Sequence, residues 1–325
     1  MDSAKIYGPE AINLEGCQGS RYWINHPFEF TGDPETDKAL SSYPVAVFQP
    51  AGRKSYETPV VFALQGMAAP YQWNGFIIPT LLGMGIACVL FDAPFAGERS
   101  LIRTHPGDAV MQVVPLVEKN IQLTSKSIFQ MMSAMARDLQ TVNHLIVERH
   151  GLLNTRKAVF GVSMGCLFGS FAFTCDGFGQ RLLGVIGHSD SQLFAKSFAP
   201  PIPTAVLKYP GTALAEALGW FVGPFPKAGM MFLNLLAEMR GKDDFVIKSN
   251  PMTYAHRVDD QRRVRYLIGK EDHLVKVVDV ESVCARFKNG ACYAVPGMGH
   301  GTSNGPSFVE HVRTFVGTQL GDWIN

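Results

Sequence analysis

The sequence lacks the cysteine patterns that build metal sites. Among its 325 residues are six cysteines, and no two of them form a C-x-x-C pair or show the spacing of a zinc site. Four of the six lie inside apolar runs, where a reduced thiol packs as a small hydrophobic side chain. We therefore expect no bound metal and reduced thiols. The six are Cys17, Cys88, Cys166, Cys175, Cys284 and Cys292.

An excess of charge of one sign is also absent. The chain has 29 Lys and Arg against 28 Asp and Glu, a formal net charge of +1. A surface for nucleic acid or for an anionic membrane would need a surplus of basic residues. The balance argues against both classes of partner. A hydrophobic fraction of 46% with 18% charged residues is instead typical of a well-packed globular protein.

No hydrophobic run is long and continuous enough for a membrane span. Residues 76–91 are interrupted by a proline and two glycines, and residues 158–175 contain a sharp turn signal at their centre. A helix–turn–strand and a strand–turn–helix account for these stretches better than a bilayer does. Residues 1–5 show no basic segment followed by an apolar stretch, so the sequence predicts no signal peptide and a cytoplasmic location.

Signatures of cofactor binding are missing as well. The segment Gly83-Met84-Gly85 lacks the third glycine and the helix start that dinucleotide binding requires. We find no phosphate-binding loop and no flavin signature. The sequence therefore predicts a protein that works without a cofactor.

The most informative stretch that is present is Gly161-Val162-Ser163-Met164-Gly165. An apolar run, residues 158–160, precedes it, and an uncharged run, residues 166–173, follows it and is long enough for a buried helix. This is the strand-to-helix context of a nucleophile elbow. The turn would present the Ser163 hydroxyl at the carboxyl end of the strand. The backbone N–H of Met164 would then face developing negative charge.

Strand and helix signals alternate along most of the chain. Residues 22–51 are predicted as the antiparallel start of a sheet, with residues 31–42 as a polar link. Continuous apolar runs predict buried strands, and segments of helical period lie between them. The alternation predicts a mostly parallel, doubly wound α/β sheet. Strands are expected at 59–64, 86–91, 158–160, 182–187, 264–269 and 291–295, and helices at 74–82, 125–149, 166–173, 277–287 and 307–320.

Residues 192–250 break this alternation. They are rich in proline and in large apolar side chains, with helices expected near 212–221 and 228–239. We interpret them as a helical cap, inserted after the strand that follows the elbow helix, on a core of residues 1–191 and 251–325. If the cap covers the site, Trp220, Phe221 and Phe225 would form an apolar pocket wall. The alternative is that these residues only pack the cap onto the core.

Three chemically suited side chains follow the ends of predicted strands. Ser163 follows the elbow strand, Asp272 follows the strand at 264–269, and His300 follows the last strand. Ligands bind at the carboxyl ends of parallel strands, so these side chains are expected to meet. His300 would take the proton of Ser163, and Asp272 would orient the imidazole. Glu271 and Asp190 remain open as alternative acids, and Asp272 could be a helix N-cap.

With these motifs the sequence resembles the α/β-hydrolase superfamily over about residues 60–315. The resemblance implies a serine, histidine and acid triad, with an oxyanion hole made of two backbone N–H groups. One donor would be Met164. The other would come from the loop that begins Gln65-Gly66 where relatives often have His-Gly, and would be Met67 or Ala68. Gln65 and His188 are further expected to line the substrate pocket.

Together these features predict a serine hydrolase that cleaves a small-molecule carboxylic ester through an acyl-enzyme, with an apolar acyl or aromatic substrate. The same residues would serve an amidase, a thioesterase, a lactonase or a hydrolase of carbon–carbon bonds. A non-catalytic ligand-binding protein of the same fold is the alternative from another class. A homo-oligomer is compatible with the sequence.

Overall fold

A computed structural model describes residues 4–66, 69–102, 109–153, 155–198, 226–300 and 306–324. Within these ranges nine strands form one mixed sheet, in the order β1-β2-β3-β5-β4-β6-β7-β8-β9. The strands are β1 (Lys5–Leu14), β2 (Cys17–Asn25), β3 (Ser42–Phe48), β4 (Val60–Leu64), β5 (Ala87–Phe91), β6 (Lys157–Val162), β7 (Arg181–Val185), β8 (Arg263–Gly269) and β9 (Gly290–Val295).

The sheet has an antiparallel part and a parallel part. β1, β2, β3 and β5 pair antiparallel in that order, whereas β5, β4, β6, β7, β8 and β9 are all parallel. Leu64 of β4 lies opposite Gly161 of β6, and Val162 lies opposite Val185 of β7. The carboxyl ends of these three strands therefore meet at one edge. The expectation of a mostly parallel sheet with an antiparallel start is confirmed.

Helices cover both faces of this sheet. One core contains side chains of α4, α5 and α9, and the core on the other face contains side chains of α2 and α10, which makes the sheet doubly wound. The helices are α1 (Pro34–Leu40), α2 (Ile78–Gly83), α3 (Ala109–Glu118), α4 (Ser125–His150), α5 (Met164–Cys175), α6 (Ser191–Phe198), α7 (Pro226–Met239), α8 (Asp244–Ser249), α9 (Val277–Cys284) and α10 (Pro306–Leu320).

The local sequence explains where these elements form. Every residue of β4, β5 and β7 is buried, as expected for strands that are covered on both faces; β4 and β5 are apolar throughout, whereas β7 begins with Arg181, which pairs with Asp322. In α4 the buried residues include Ile128, Met132 and Met135, which recur at three- and four-residue steps. This helix ends at His150 and is capped by Gly151, whose φ of 65° favours a residue without a Cβ.

Two elements at the N-terminal side differ from the prediction. β1 was not expected, because most of its residues are exposed and it therefore has no buried apolar run. The supposed polar link contains α1, which begins with Pro34 after the N-cap Asp33, whose carboxylate accepts from Thr36 N at 2.8 Å. Capping residues, not periodicity, determine this short helix.

The described part of the insertion is helical. It consists of α6 from its second residue onward together with α7 and α8. Leu235, Leu236 and Met239 of α7 join the core that contains α4 and α5. The helix expected near 212–221 lies outside the described residues, as do Trp220, Phe221 and Phe225. The division into core and cap therefore stays a prediction. Among the described helices, none combines the length and apolarity that a bilayer span requires.

A fully buried ion pair links α4 to the antiparallel part of the sheet. Arg99 Nη1 lies 2.6 Å from Asp138 Oδ2, and neither side chain is exposed to solvent. Arg99 Nε also donates to the carbonyl oxygen of Leu40 at 2.5 Å, and the guanidinium lies 4.4 Å from the ring centroid of Tyr43. Because solvent does not reach the Arg99 side chain, its positive charge is stabilised by these protein groups and not by water.

Replacing Asp138 by alanine should lower the free energy of unfolding by about 3–5 kcal/mol, because the Arg99 charge would stay buried without its partner. The matched control is Asp244→Ala, which breaks the exposed pair of Asp244 with Lys248 and should cost less than about 1 kcal/mol. Urea unfolding of both variants measures the difference. Equal losses would contradict the importance given to the buried pair.

Candidate active site

Ser163 occupies a strained turn between β6 and α5. Its φ is 51° and its ψ is −117°, a conformation that L-residues rarely adopt and that costs roughly 1–3 kcal/mol. The helix α5 begins at the next residue, Met164. The serine therefore stands at the carboxyl end of a central strand and at the N-terminus of a buried helix, as the pentapeptide predicts.

The two glycines of the pentapeptide are required by backbone contacts. A Cβ atom on Gly161 would lie 2.5 Å from the carbonyl oxygen of Gly165. A Cβ atom on Gly165 would collide with the carbonyl oxygen of Leu64 and would lie 2.7 Å from that of Gln65. The first turn of α5 is thus pressed against both β6 and the end of β4, and this contact keeps Ser163 in its turn.

The structure brings Ser163, His300 and Asp272 together. Ser163 Oγ lies 3.0 Å from His300 Nε2, and His300 Nδ1 lies 3.0 Å from Asp272 Oδ2. The side chain of Asp272 is fully buried, and that of His300 is 17% exposed. A hydroxyl, an imidazole and a carboxylate therefore form one continuous hydrogen-bonded series at the edge where the parallel strands end.

Close packing of two loops sets these distances. Asp272 follows β8, and His300 follows β9. A Cβ atom on Gly269 would collide with the carbonyl oxygen of Met298, and one on Gly299 would lie 3.0 Å from the carbonyl oxygen of Glu271. The backbones of the two loops are therefore in contact, which holds the histidine beside the acid although 28 positions separate them.

The contacts of the three candidate acids distinguish them. Asp190 Oδ1 accepts from the first turn of α6, from Gln192 N at 3.0 Å and Leu193 N at 3.1 Å, and Glu271 is exposed. Asp272 Oδ1 accepts from two backbone N–H groups, those of Leu274 at 2.9 Å and Val275 at 2.8 Å, while its Oδ2 contacts His300. Asp272 is therefore not a helix N-cap, because the next helix begins at Val277 after the N-cap Lys276; its Oδ1 instead closes a local turn, which leaves Oδ2 beside the histidine.

The surroundings of Ser163 provide backbone donors for an anion. Met164 is the first residue of α5, so no turn of this helix precedes it to supply an acceptor for its N–H, which lies at the positive end of the helix dipole; the N–H of Cys166 already donates to Ser163 O at 2.9 Å. The loop after β4 passes the serine, since a Cβ atom on Gly66 would lie 3.5 Å from Ser163 Cβ. Met67 and Ala68 lie outside the described residues.

No group of three or more His, Cys, Asp or Glu suited to a metal ion occurs in the described part of the chain.

Gln65 is buried and hydrogen-bonded to Asp92, a carboxylate that is not among the predicted site residues. Its Nε2 donates to Asp92 Oδ1 at 3.4 Å, and Asp92 also accepts from Tyr71 N at 2.7 Å and Glu98 N at 2.8 Å. Burial raises the pKa of Asp92 to about 7. Asp92 thus connects both sides of the loop that carries Met67. Its position directly after the strand at 86–91 was the available signal.

His188 lies three residues after the end of β7 and is completely buried. Its Nδ1 accepts from the backbone N–H of Asp190 at 3.1 Å. Burial lowers the pKa of His188 to about 4, so the ring is neutral at neutral pH. The role of Gln65 and His188 as pocket residues stays a prediction. His273, which lies next to Asp272, is exposed.

A methyl group at Gly161 should disrupt the elbow. We expect Gly161→Ala to lower the free energy of unfolding by about 1–3 kcal/mol, because the new Cβ would overlap the backbone of Gly165. Gly83→Ala is the matched control: a Cβ there meets no atom within 4 Å, and alanine restricts the unfolded chain, so a gain of up to about 1 kcal/mol is expected. Thermal and urea unfolding report both values. An equal response of the two variants would contradict the contact described.

Comparisons with known proteins identify the fold. No family model and no curated protein sequence matches this chain. Among solved structures, the chain is similar to an esterase from Pyrococcus furiosus at a TM-score of 0.53 and 17% identity, over 98% of this chain and 92% of the other. It is also similar to a carboxyl esterase from Bacillus coagulans, at a TM-score of 0.56 and 15% identity, over 87% of this chain and 95% of the other.

A third similar structure is Est1E from Butyrivibrio proteoclasticus, at a TM-score of 0.52 and 12% identity, over 98% of this chain and 99% of the other. The alignments extend over nearly the full length of each chain, so the likeness concerns the whole architecture, not one motif. Identities this low show the fold alone. The chain has the α/β-hydrolase fold, as the resemblance of its sequence to that superfamily implies.

Proposed function

We propose that this protein is a serine hydrolase that cleaves carboxylic esters through an acyl-enzyme. One observation carries the proposal: Ser163 Oγ, the ring of His300 and Asp272 are joined by two contacts of 3.0 Å each. The arrangement is that of an activated nucleophile with its base and an orienting acid. Two proteins of similar structure are described as esterases, which supports ester hydrolysis as the general activity.

In the first half of the reaction, His300 Nε2 takes the proton of Ser163 as its Oγ attacks the ester carbonyl carbon. The carbonyl oxygen becomes an oxyanion. Asp272 holds the proton of Nδ1 and stabilises the imidazolium. Collapse of the tetrahedral intermediate breaks the bond to the alcohol oxygen, which takes the proton from His300 Nε2 and leaves. The acyl group stays on Ser163.

In the second half, a water molecule takes the place of the alcohol. His300 Nε2 accepts a proton from this water, and the water oxygen attacks the acyl carbon. The second tetrahedral intermediate breaks the bond to Ser163 Oγ, which regains a proton from His300. The carboxylic acid is released, and the hydrogen-bonded series returns to its starting state.

The oxyanion would be bound by backbone N–H groups. Met164 begins α5, so in this proposal its N–H and the positive end of the helix dipole would stabilise the oxyanion that forms beside Ser163. The second donor in this proposal is Met67, with Ala68 as the alternative. Each such donor is worth about 3 kcal/mol in the transition state, and neither needs a particular side chain. The departure from His-Gly to Gln65-Gly66 is therefore compatible with the proposal.

A fluorophosphonate probe tests the chemistry, because it phosphonylates only a serine whose proton a base removes. We expect the wild type to be labelled and Ser163→Ala not to be labelled. His300→Ala should be labelled at least about a thousand times more slowly. Gel fluorescence and intact-protein mass spectrometry measure the extent and the rate.

Ser282→Ala is the matched control for this experiment, because Ser282 is exposed on α9 and donates only to Asp279 O within that helix. It should be labelled like the wild type. Labelling of Ser163→Ala at the wild-type rate would show that another serine reacts. A folded wild type that neither reacts with the probe nor hydrolyses any small ester would contradict the proposed activity altogether.

We further propose an apolar acyl or aromatic substrate, on the basis of the apolar residues of the insertion. For p-nitrophenyl esters from acetate to hexanoate, kcat/KM should rise roughly two- to fourfold for each added methylene that the pocket buries. Rates of alkaline hydrolysis of the same esters correct for intrinsic reactivity. Highest activity on acetate, or on charged acyl groups, would contradict an apolar pocket while leaving the serine chemistry intact.

A further inference from the structure

His188 directly follows Gly187, whose backbone lies against the turn at Ser163 and the first turn of α5. A Cβ atom on the preceding Gly187 would lie 2.6 Å from the carbonyl oxygen of Ser163 and 2.8 Å from Cys166 Sγ. β7 is the immediate neighbour of β6 in the sheet. The histidine therefore belongs to the same strand-end edge as Ser163, on the side of the insertion.

The hydrogen bond to Nδ1 determines where the proton of His188 resides. Nδ1 accepts from the backbone N–H of Asp190, so it carries no proton. A neutral imidazole of this kind has its proton on Nε2. His188 thus has an N–H donor in a fixed direction, because its ring is held by this bond and by its own burial.

That donor has no acceptor among the described residues. His188 Nε2 is buried and makes no hydrogen bond there. The nearby carboxylate of Asp190 already has other partners. Its Oδ1 accepts from the first turn of α6 and from Asn250 Nδ2 at 3.2 Å, and its Oδ2 lies 3.7 Å from Arg286 Nη1. Asp279, in the first turn of α9, acts on the ring only as a charge. Buried donors are normally paired, so one that is not requires an explanation.

The ring of His188 also borders the insertion. It packs edge-on against Phe194 of α6, with centroids 5.8 Å apart and planes at 75°. The histidine therefore lies where the sheet edge, the first helix of the insertion and the start of α9 come together. Active sites of parallel sheets occupy this edge, and a pocket that is mostly apolar uses a few fixed polar groups for specificity.

We propose that the Nε2–H of His188 binds a hydrogen-bond acceptor of the substrate, so that the preferred ester carries an ether, carbonyl or hydroxyl oxygen close to the bond that is cleaved. The inference rests on the proposed ester hydrolysis and narrows its substrate class. His188 acts in it as a specificity residue. A site built to donate a hydrogen bond disfavours the analogue that lacks the oxygen, since the donor is then left unpaired.

Two substitutions separate the donor from the local fold. His188→Asn can keep the bond from Asp190 N, because an asparagine carbonyl accepts from the backbone two residues on, but it removes the donor at Nε2. His188→Gln loses that bond but places an N–H near the former Nε2. The matched control is His150→Asn. His150 Nε2 is also buried and has no hydrogen-bond partner in the described part of the chain, but His150 lies at the end of α4, next to Gln49.

The test compares p-nitrophenyl hexanoate with its three analogues in which the third, fourth or fifth chain atom is oxygen. A second pair, n-pentyl and 2-ethoxyethyl butanoate, places the oxygen in the alcohol. For each pair, kcat/KM for the ester with the oxygen is divided by kcat/KM for the ester with carbon at that position. This ratio in the wild type is then divided by the same ratio in the variant, and the quotient is independent of the intrinsic reactivity of the esters. For at least one pair we expect the wild-type ratio to exceed that of His188→Asn roughly three- to tenfold.

His188→Gln should restore part of that preference, and His150→Asn should give a quotient of one. A quotient of one for His188→Asn in every pair, with normal turnover of the alkyl esters, would overturn the role of His188 and leave ester hydrolysis standing. No turnover of any ester by folded wild type would overturn the proposed function, and this inference with it.

If neither His188 variant folds, as judged by circular dichroism, the wild type alone decides. Its oxygen-to-carbon ratio, corrected by alkaline hydrolysis of the same esters, must exceed about threefold for at least one pair. A corrected ratio of one in all pairs would overturn the proposal.

Discussion

The contact between the backbones of β4, β6 and α5 is the constraint on which the rest of the site depends. Because Gly161 and Gly165 have no side chains, the first turn of α5 rests directly on the two strands, and Ser163 is held at a φ of 51°. The packing of α5, which is buried from Gly165 to Thr174, offsets the cost of this conformation. A hydroxyl held so rigidly needs little reorganisation during a reaction.

The other two members of the hydrogen-bonded series depend on contacts of the same kind. The loops after β8 and β9 touch through Gly269 and Gly299, and this contact determines how far His300 lies from Asp272. Asp92 similarly accepts bonds from both sides of the loop after β4. The geometry of the edge thus rests on residues that carry no proposed chemistry, while the insertion, with His188 beside it, would determine which substrate is accepted.

Much of this architecture could be predicted from local patterns, and the exceptions have physical causes. The buried strands and α4 were predictable because apolar runs and three- and four-residue steps are local signals. β1 lacks such a run, and α1 depends on its cap. Asp272 was the predicted acid, with Glu271 and Asp190 as alternatives, but local patterns could not show what else each carboxylate binds: Asp190 caps α6, whereas Oδ2 of Asp272 contacts His300.

The sequence by itself determined the alternation of strands and helices from β4 onward, the strained turn at Ser163 and the residue types at the strand ends, since each follows from neighbours along the chain. Only the tertiary structure decided that β4 and β7 flank β6, that His300 meets Ser163 across 137 positions, and that the donor of His188 is buried without an acceptor among the described residues. These features arise from contacts between distant segments, which local propensities do not specify.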